Sequence, residues 1–226
     1  MRFLSQVATI AGKDLKSEFR TKESLNAAVS FALVILVLFS FAMDPTSDQM
    51  QEMSGGLLWL VFAFAGALIL NRSFARELPN DCLDALVASP VSAAALLLGK
   101  VIANFTLLLL VEALCMPAFG ILYNLDWSRQ TGWLALVLVL ATWGMTVIGT
   151  IFSALTVNLR LRELMLPTLI YPMMIPALMA AMRLTTILIA GNSITGDDWI
   201  WIRLLIGFDI IFTSLAVALV DVVLVG

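Results

Sequence analysis

Few residues in this sequence could carry out chemistry. The chain has no histidine, so a histidine general base, a His-ligated zinc ion and a bis-histidine haem site are excluded. Cys82 lies in a polar stretch and Cys115 in an apolar run, so we expect no disulfide between them. Neither of the two Gly-Lys pairs completes the G-x-x-x-x-G-K-[ST] loop that holds nucleotide phosphates. The sequence therefore predicts no catalytic site and no metal site, and any ATP must be hydrolysed by another polypeptide.

One carboxylate, Glu112, falls near the middle of an apolar run. A charged carboxylate inside a bilayer costs several kcal/mol, so such a residue is a functional candidate by default. The spacing places no second carboxylate beside it, as a proton-driven carrier would require. We therefore favour a structural carboxyl, protonated or hydrogen-bonded to a neighbouring span, over a proton-coupling residue. Asp209 and Asp221 are expected to reach the two membrane interfaces.

Proline is concentrated in one apolar segment, where Pro167, Pro172 and Pro176 fall within ten residues. Each proline removes a helical hydrogen bond, so this segment is the predicted hinge. Tyr171 is expected to donate a hydrogen bond to a carbonyl freed near the bend. The methionines of the segment are expected to fill irregular gaps rather than bind haem iron. They are Met165, Met173, Met174, Met179 and Met182.

Membrane helices must position these candidates. The chain has 226 residues, of which 61% are hydrophobic and 13% charged, against about 25% charged in a soluble domain. Runs long enough to cross about 30 Å of hydrocarbon predict six spans. They are expected near 25–43, 55–71, 101–122, 132–156, 164–182 and 204–225. The predicted fold class is thus an all-α integral membrane protein with a single domain, 1–226, embedded in the lipid bilayer. Its net charge of −3 argues against binding to nucleic acid.

Basic residues indicate which side of the membrane each connection faces. Ten of the 13 lysines and arginines lie in 1–24, 72–100 and 157–163, which six alternating spans place on one side. The positive-inside rule therefore predicts that both termini face the cytoplasm. On the other side, residues 184–189 are expected to form a short interfacial helix before a turn-rich loop.

The segment 1–24 before the first span has the pattern of a helix that lies flat on the inner leaflet. An apolar stripe runs along one face, and polar and basic residues recur on the opposite face at spacings of three and four. The stripe consists of Leu4, Ala8, Ala11, Leu15 and Phe19. The alternative is an ordinary basic flank that sets the topology of the first span.

The longest inner connection, 72–100, is punctuated by Pro79 and Pro90. A short helix fits between these prolines, with Leu83 and Leu86 on one face and Asp84 in solvent. Such a helix could dock a cytoplasmic partner and carry force into the spans. The residues alone do not separate this role from that of a solvated connector.

Two stretches of the chain resemble the CcmB family, the haem exporter B permeases of cytochrome c maturation. The first runs from Trp59 to Lys100 and includes Arg72, Phe74, Glu77, Leu78, Pro90 and Gly99. The second runs from Gly149 to Pro176 and includes Ala154-Leu155-Thr156-Val157, Leu166-Pro167 and Tyr171-Pro172. The length and the six-span layout of nearly the whole chain agree with the same family.

The resemblance implies an ABC-2-type permease-like fold in a bacterial inner membrane, within a complex whose ATPase is a separate CcmA-like subunit. It also implies CcmC- and CcmD-like membrane subunits and a CcmE-like haem chaperone as partners. ATP would bind the partner, and haem enters as a candidate substrate of the complex rather than as a cofactor of this chain. In that arrangement the ATPase is expected to dock on the first inner connection. The docking residues would be Glu77, Leu83, Asp84, Leu86 and Pro90.

Two other classes of protein fit the residues less well. One is a six-span ABC exporter subunit for a lipid, a drug or a polysaccharide, which the two resembling stretches disfavour. The other is a non-ABC membrane protein, either a secondary carrier or an enzyme, which would be expected to show paired carboxylates or a catalytic motif.

Overall fold

The computed structural model describes residues 2–43, 47–78, 90–125, 129–157, 159 and 161–225. Within these residues the chain forms α-helices joined by turns, and no strand occurs. The helices are α1 (Arg2–Thr21), α2 (Glu23–Ala42), α3 (Asp48–Leu70), α4 (Ala93–Tyr123), α5 (Thr131–Thr156), α6 (Arg162–Ile189) and α7 (Trp199–Val225). Short 3₁₀ turns cover Ala75–Glu77 and Gly196–Asp198.

Helices α2 to α7 are each long and apolar enough to cross a membrane, so the predicted six spans are confirmed. The predicted boundaries are less accurate, because α3 begins at Asp48 rather than 55 and α4 begins at Ala93 rather than 101. The cause is capping: the hydroxyls of Ser47 and Ser92 accept hydrogen bonds of 3.2 Å from the amides of Met50 and Ala95. Helices therefore start at their caps, outside the apolar stretch.

The six spans are unequally buried by one another. Helix α3 packs against α2, α4, α5 and α6, and 72% of its most apolar 18-residue stretch is buried. Helices α2 and α7 are mostly exposed. The contact between α3 and α6 depends on Gly55, where an added Cβ would lie 2.3 Å from the carbonyl oxygen of Met182. Such close backbone approach is typical of glycine at membrane helix interfaces.

The predicted N-terminal helix is present as α1, and it packs along the first turns of α4. A Cβ added at Gly99 would lie 2.7 Å from the Cβ of Ile10, so the two helices nearly touch there. The buried face of α1 is centred on Val7, Ile10 and Ala11. Three members of the predicted apolar stripe stay exposed, namely Leu4, Ala8 and Phe19. Helix α1 thus has one apolar face for the bundle and another that faces outward.

The predicted interfacial helix at 184–189 is wrong, because these residues are the last turns of α6. Buried Leu184 and Leu188 continue the face that Ala177, Ala180 and Ala181 begin, so tertiary packing extends the helix beyond the predicted span. The helix ends at Ile189, and two residues later the chain turns at Gly191, whose φ of 77° lies in the left-handed region that favours glycine. We call the end of the bundle that holds α1 the basic end and the other the far end.

Candidate functional site

Charged side chains from three elements meet at the basic end. They come from α1, from the turn that follows α3 and from the first half of α4. We call this cluster the ionic junction; it consists of Lys13, Asp14, Glu18, Arg76, Glu77 and Lys100. Its three cations and three anions balance, as buried charges require.

Lys100 lies at the centre of the ionic junction and is only 1% exposed. Its ammonium donates to Asp14 Oδ2 at 3.0 Å, to the carbonyl of Ser73 at 2.9 Å and to Glu77 Oε1 at 3.1 Å. The same ammonium lies 4.9 Å from the ring centroid of Phe74. All three N–H donors of Lys100 therefore have a partner, and the side chain ties α4 to α1 and to the turn after α3.

Lys13 on α1 joins the same acidic residue from the opposite side. Its ammonium donates to Glu77 Oε1 at 2.5 Å and lies 3.3 Å from Asp14 Oδ1. Burial lowers the pKa of Lys13, but the hydrogen bond to Glu77 and the charge of Asp14 outweigh it, so the pKa lies above its ordinary value. Glu77 is thus held between two lysines that are 87 positions apart in the sequence.

Glu18 connects the junction to the start of α2. Its carboxylate accepts a hydrogen bond from Arg76 and another, of 2.8 Å, from the amide of Leu25 in the first turn of α2. Arg76 also donates to Ser24. An acidic side chain on a helix N-terminus satisfies free amides and favours the helix dipole. Fully buried Glu18 therefore fixes the angle between α1 and α2.

A neutral branch carries the network from the junction to α5. The Asn104 amide donates to the hydroxyl of Ser73 at 2.8 Å and to the hydroxyl of Thr150 at 2.9 Å. A cavity of about 170 Å³ lies beside these groups and the ionic junction, and it is lined mostly by polar side chains. The hydrogen-bonded cluster thereby reaches α1, α2, α4, α5 and the turn after α3.

The predicted docking residues have different locations. Glu77 belongs to the ionic junction, and Pro90 is exposed and accepts a hydrogen bond of 3.2 Å from the Gln6 side chain of α1. Leu83, Asp84 and Leu86 lie outside the described residues. Helix α1 therefore contacts both ends of the inner connection.

Sequence reasoning did not identify five members of the ionic junction as site residues. They are Lys13, Asp14, Glu18, Arg76 and Lys100. A lysine that begins a long apolar run was the one available signal, since Lys100 opens the third predicted span.

Glu112 lies in the middle of α4 and is 1% exposed. The hydroxyl of Thr142 on α5 donates to Glu112 Oε1 at 2.6 Å, and Oε2 has no partner among the described residues. A hydrogen bond to a neighbouring span is what the structural interpretation of this residue requires. Its role remains a prediction.

The expectation that Asp209 reaches an interface is wrong. It lies ten residues inside α7, is 8% exposed and packs against α5, where a Cβ added at Gly144 would lie 2.7 Å from Asp209 Oδ1. That oxygen has no partner among the described residues. The absence of a side chain at Gly144 lets this carboxyl enter the bundle, a feature that spacing within α7 cannot show. Asp221 is exposed near the end of α7.

Helix α6 runs through all three prolines of the predicted hinge without a break. Pro172 and Pro176 are exposed, and Pro167 is half-buried. The predicted hydrogen bond from Tyr171 to a carbonyl freed within α6 is not present. Its ring packs edge-on against Phe64 and directs the hydroxyl toward the carbonyl of Ala63 in α3, at 3.5 Å.

The methionines of α6 fall into two groups. Met174 is buried in the core, as a gap-filling side chain would be. Met165, Met173 and Met179 are exposed on the outer face of the helix. Met179 and the half-buried Met182 line a cavity near the far end.

The sequence of the whole chain is similar to that of known proteins. The CcmB protein family model matches residues 5–221. Heme exporter protein B of Pseudomonas aeruginosa is 32% identical over 88% of this chain and 88% of its own length. Heme exporter protein B of Rhodobacter capsulatus is 30% identical over 75% of this chain and 77% of its own, and the protein of that name from Paracoccus denitrificans is 29% identical over 74% and 76%. The chain therefore belongs to the CcmB family.

Proposed function

We propose that this chain is the membrane permease subunit of an ABC complex for cytochrome c maturation. It couples ATP hydrolysis by a CcmA-like partner to haem export or to release of the haem-loaded CcmE-like chaperone, beside CcmC- and CcmD-like subunits. Membership of the CcmB family and six apolar helices support a permease of a haem exporter. The lack of a nucleotide-binding loop in the sequence supports a separate ATPase.

The observation that carries this proposal is the ionic junction. The inner connection leaves α3 through Glu77 and enters α4 at Ala93, two turns before Lys100. The side chains of Glu77 and Lys100 bond each other, and each also bonds a residue of α1. Removing one partner of a buried ion pair costs about 3–5 kcal/mol. A displacement of the connection by a docked ATPase therefore moves α1 and α4 with it instead of separating them.

In this proposal the basic end lies on the cytoplasmic side of a bacterial inner membrane. The ionic junction, the inner connection and α1 then all lie on the side where ATP is available. The excess of lysine and arginine in the segments at this end supports that orientation.

The decisive experiment tests docking of the ATPase on the inner connection. Leu83→Asp together with Leu86→Asp should abolish co-purification of the ATPase subunit while the chain still inserts, because two charges disrupt an apolar docking face. The matched control is Leu159→Asp with Leu161→Asp in the other inner connection, where both leucines are exposed. Normal co-purification of the first double variant would refute docking at this connection.

Helix α1 is proposed to rest on the inner leaflet with its outward apolar face. Phe3, Leu4 and Phe19 are exposed on this helix, at 41%, 75% and 46%. Deleting residues 2–18 removes Phe3 and Leu4 of this face and the α1 members of the ionic junction. Cytochrome c yield should then fall more than membrane insertion does; unchanged cytochrome c yield would contradict this role.

A further inference from the structure

A cavity of about 520 Å³ lies near the far end, between α2, α3 and α6. We call it the far cavity. Most of its wall is apolar and consists of Phe39, Met43, Met53, Leu57, Leu60 and Met179. Most of these side chains are exposed, so the cavity opens outward from the bundle.

Two charged side chains of opposite sign line the far cavity. Glu52 comes from the first turns of α3, and Arg183 comes from the last turns of α6. Both are exposed, and neither makes an ion pair with a described residue, the other one included. Charged groups within membrane spans usually have a partner. Two unpaired charges at one cavity therefore point to a ligand that carries both signs.

The close contact between α3 and α6 sets the relative depth of the two charges. A Cβ added at Gly55 would lie 2.3 Å from the carbonyl oxygen of Met182 and 3.0 Å from the amide nitrogen of Thr186. Arg183 is therefore level with the turn of α3 that contains Gly55. Glu52 precedes Gly55 by one turn, about 4.5 Å. Because α3 runs inward from the far end, Glu52 is the outer charge and Arg183 the inner one.

The outer part of the far cavity lies at the level of the lipid headgroups. Trp201 of α7 also lines the cavity, and tryptophan prefers the interface between hydrocarbon and water. From Glu52 to Leu60 the helix rises about 12 Å, so the inner part of the wall reaches into the hydrocarbon. From the outside inward, the cavity thus presents a carboxylate, a guanidinium group and an apolar wall.

We propose that the far cavity binds one phospholipid with an ethanolamine headgroup. Such a lipid has the complementary order of groups: an ammonium at its outer end, a phosphate beneath it and acyl chains toward the centre of the bilayer. The ammonium donates to Glu52, Arg183 donates to the phosphate, and an acyl chain packs on the apolar wall. This inference goes beyond the proposed function and does not depend on it.

The same charges discriminate between headgroups. A glycerol headgroup carries the phosphate but no ammonium, so Glu52 stays unpaired and repels it. A choline headgroup has a positive charge but no N–H donor, so it makes only a weaker contact with Glu52. The expected order of affinity is ethanolamine, choline and then glycerol.

The neighbouring cavity between the same three helices lacks this pattern. It lies nearer the basic end and measures about 650 Å³. Its arginines, Arg72 and Arg76, are already paired with Glu23 and Glu18, and Glu163 adds a further negative charge to its lining. No unpaired cation among the described residues is left there for a phosphate, so the proposal concerns the far cavity alone.

Headgroup preference tests the proposal. The full chain is purified in a detergent that removes lipid, and native mass spectrometry follows its titration with phosphatidylethanolamine, phosphatidylcholine and phosphatidylglycerol of identical acyl chains. We expect one ethanolamine lipid to bind with a Kd about fivefold lower than that of the glycerol lipid, as one added charge contact of about 1 kcal/mol gives. The choline lipid should fall between them.

Charge substitutions assign the two contacts. Glu52→Gln should abolish the preference for ethanolamine over glycerol, and Arg183→Gln should weaken all three lipids by about fivefold. The matched controls are Asp197→Asn and Arg203→Gln, which remove exposed charges at the far end that line neither cavity. Both controls should leave the three affinities unchanged.

Filling the cavity gives a measurement that does not involve charge. A Cβ added at Gly56 meets open space, so Gly56→Leu occupies the apolar part of the cavity and should weaken all three lipids. Gly207→Leu on α7, which also meets open space and lines neither cavity, should not.

Three results would overturn the proposal. One is equal affinity of the parent chain for the three lipids, and another is equal loss in the cavity variants and their controls; either means that lipid only surrounds the protein here. The third is an unchanged headgroup preference in Glu52→Gln and Arg183→Gln, with each lowering the free energy of unfolding and the double variant lowering it no further. In that case the two side chains pair with each other instead of with a lipid. No step uses the ATPase or haem, so the outcome is independent of the proposed function.

Discussion

The ionic junction and helix α6 are held in place by different kinds of interaction. The junction joins α1, α4 and the turn after α3 through charged hydrogen bonds, and its central Lys100 is almost completely buried. Helix α6 contains three prolines. Only 33% of its most apolar 18-residue stretch is buried, against 72% of the corresponding stretch of α3. Charged pairs resist separation, while a helix that has lost hydrogen bonds to prolines bends at lower cost. We propose on this basis that force from the ATPase enters through the ionic junction and produces movement in α6.

The sharpest way to break this comparison is Lys100→Met. The substitution keeps a long apolar side chain but leaves Asp14 and Glu77 with less positive charge in a buried site. We expect the free energy of unfolding to fall by about 3–5 kcal/mol. Chemical unfolding of the purified chain in a mild detergent measures the change.

Lys16→Met is the matched control for Lys100→Met. Lys16 also lies at the basic end, in α1, is exposed and makes no ion pair with a described residue. Its replacement should change the unfolding free energy by no more than about 0.5 kcal/mol. Equal effects of the two substitutions would mean that the junction adds nothing to the general effect of losing a lysine.

Replacing two prolines of α6 tests the soft side of the comparison. Pro172→Ala with Pro176→Ala restores helical amides and stiffens the helix, so assembly and ATP hydrolysis should persist while cytochrome c maturation falls. We expect the amount of cytochrome c formed per ATP hydrolysed to fall roughly tenfold, which is a typical size for the coupling between two sites. The control is Pro117→Ala, an exposed proline inside α4. Full coupling in the double variant would exclude α6 as the moving element.

The six spans could be predicted because each is a local property of an apolar run. Their boundaries could not, since Ser47 and Ser92 cap helices outside the hydrocarbon, and since packing of Leu184 and Leu188 extends α6. The outcome for α1 has the same origin. Its outward stripe follows from periodicity, but the face that packs on Gly99 depends on a glycine almost ninety positions away.

The candidate site was less predictable than the fold, for a physical reason. Charged residues near the ends of spans normally remain in solvent, so nothing in the local sequence distinguishes Lys13 and Glu18 from an ordinary basic flank. Their role depends on partners such as Glu77 and Arg76, which reach them through the fold. Glu77 and Lys100 were both among the residues that resemble the CcmB family, but the resemblance did not predict that they form an ion pair. Asp209 was misplaced in the same way, because its position depends on Gly144 of another helix.

The smallest expected effect concerns Glu112 in the middle of α4, whose carboxyl bonds Thr142 of α5. Glu112→Gln keeps the shape of the side chain and an oxygen that can accept the Thr142 hydroxyl, and it removes the ability to ionise. If Glu112 only braces α4 against α5, the unfolding free energy should change by about 1 kcal/mol or less, and cytochrome c yield should be unchanged. Glu112→Leu, which leaves the Thr142 hydroxyl without its partner, should cost more, about 1–3 kcal/mol. If the Glu112→Gln variant is normally stable but has lost cytochrome c maturation, the coupling step instead requires Glu112 to gain or lose a proton. Helix α4 would then take part in proton transfer as well as in transmitting force.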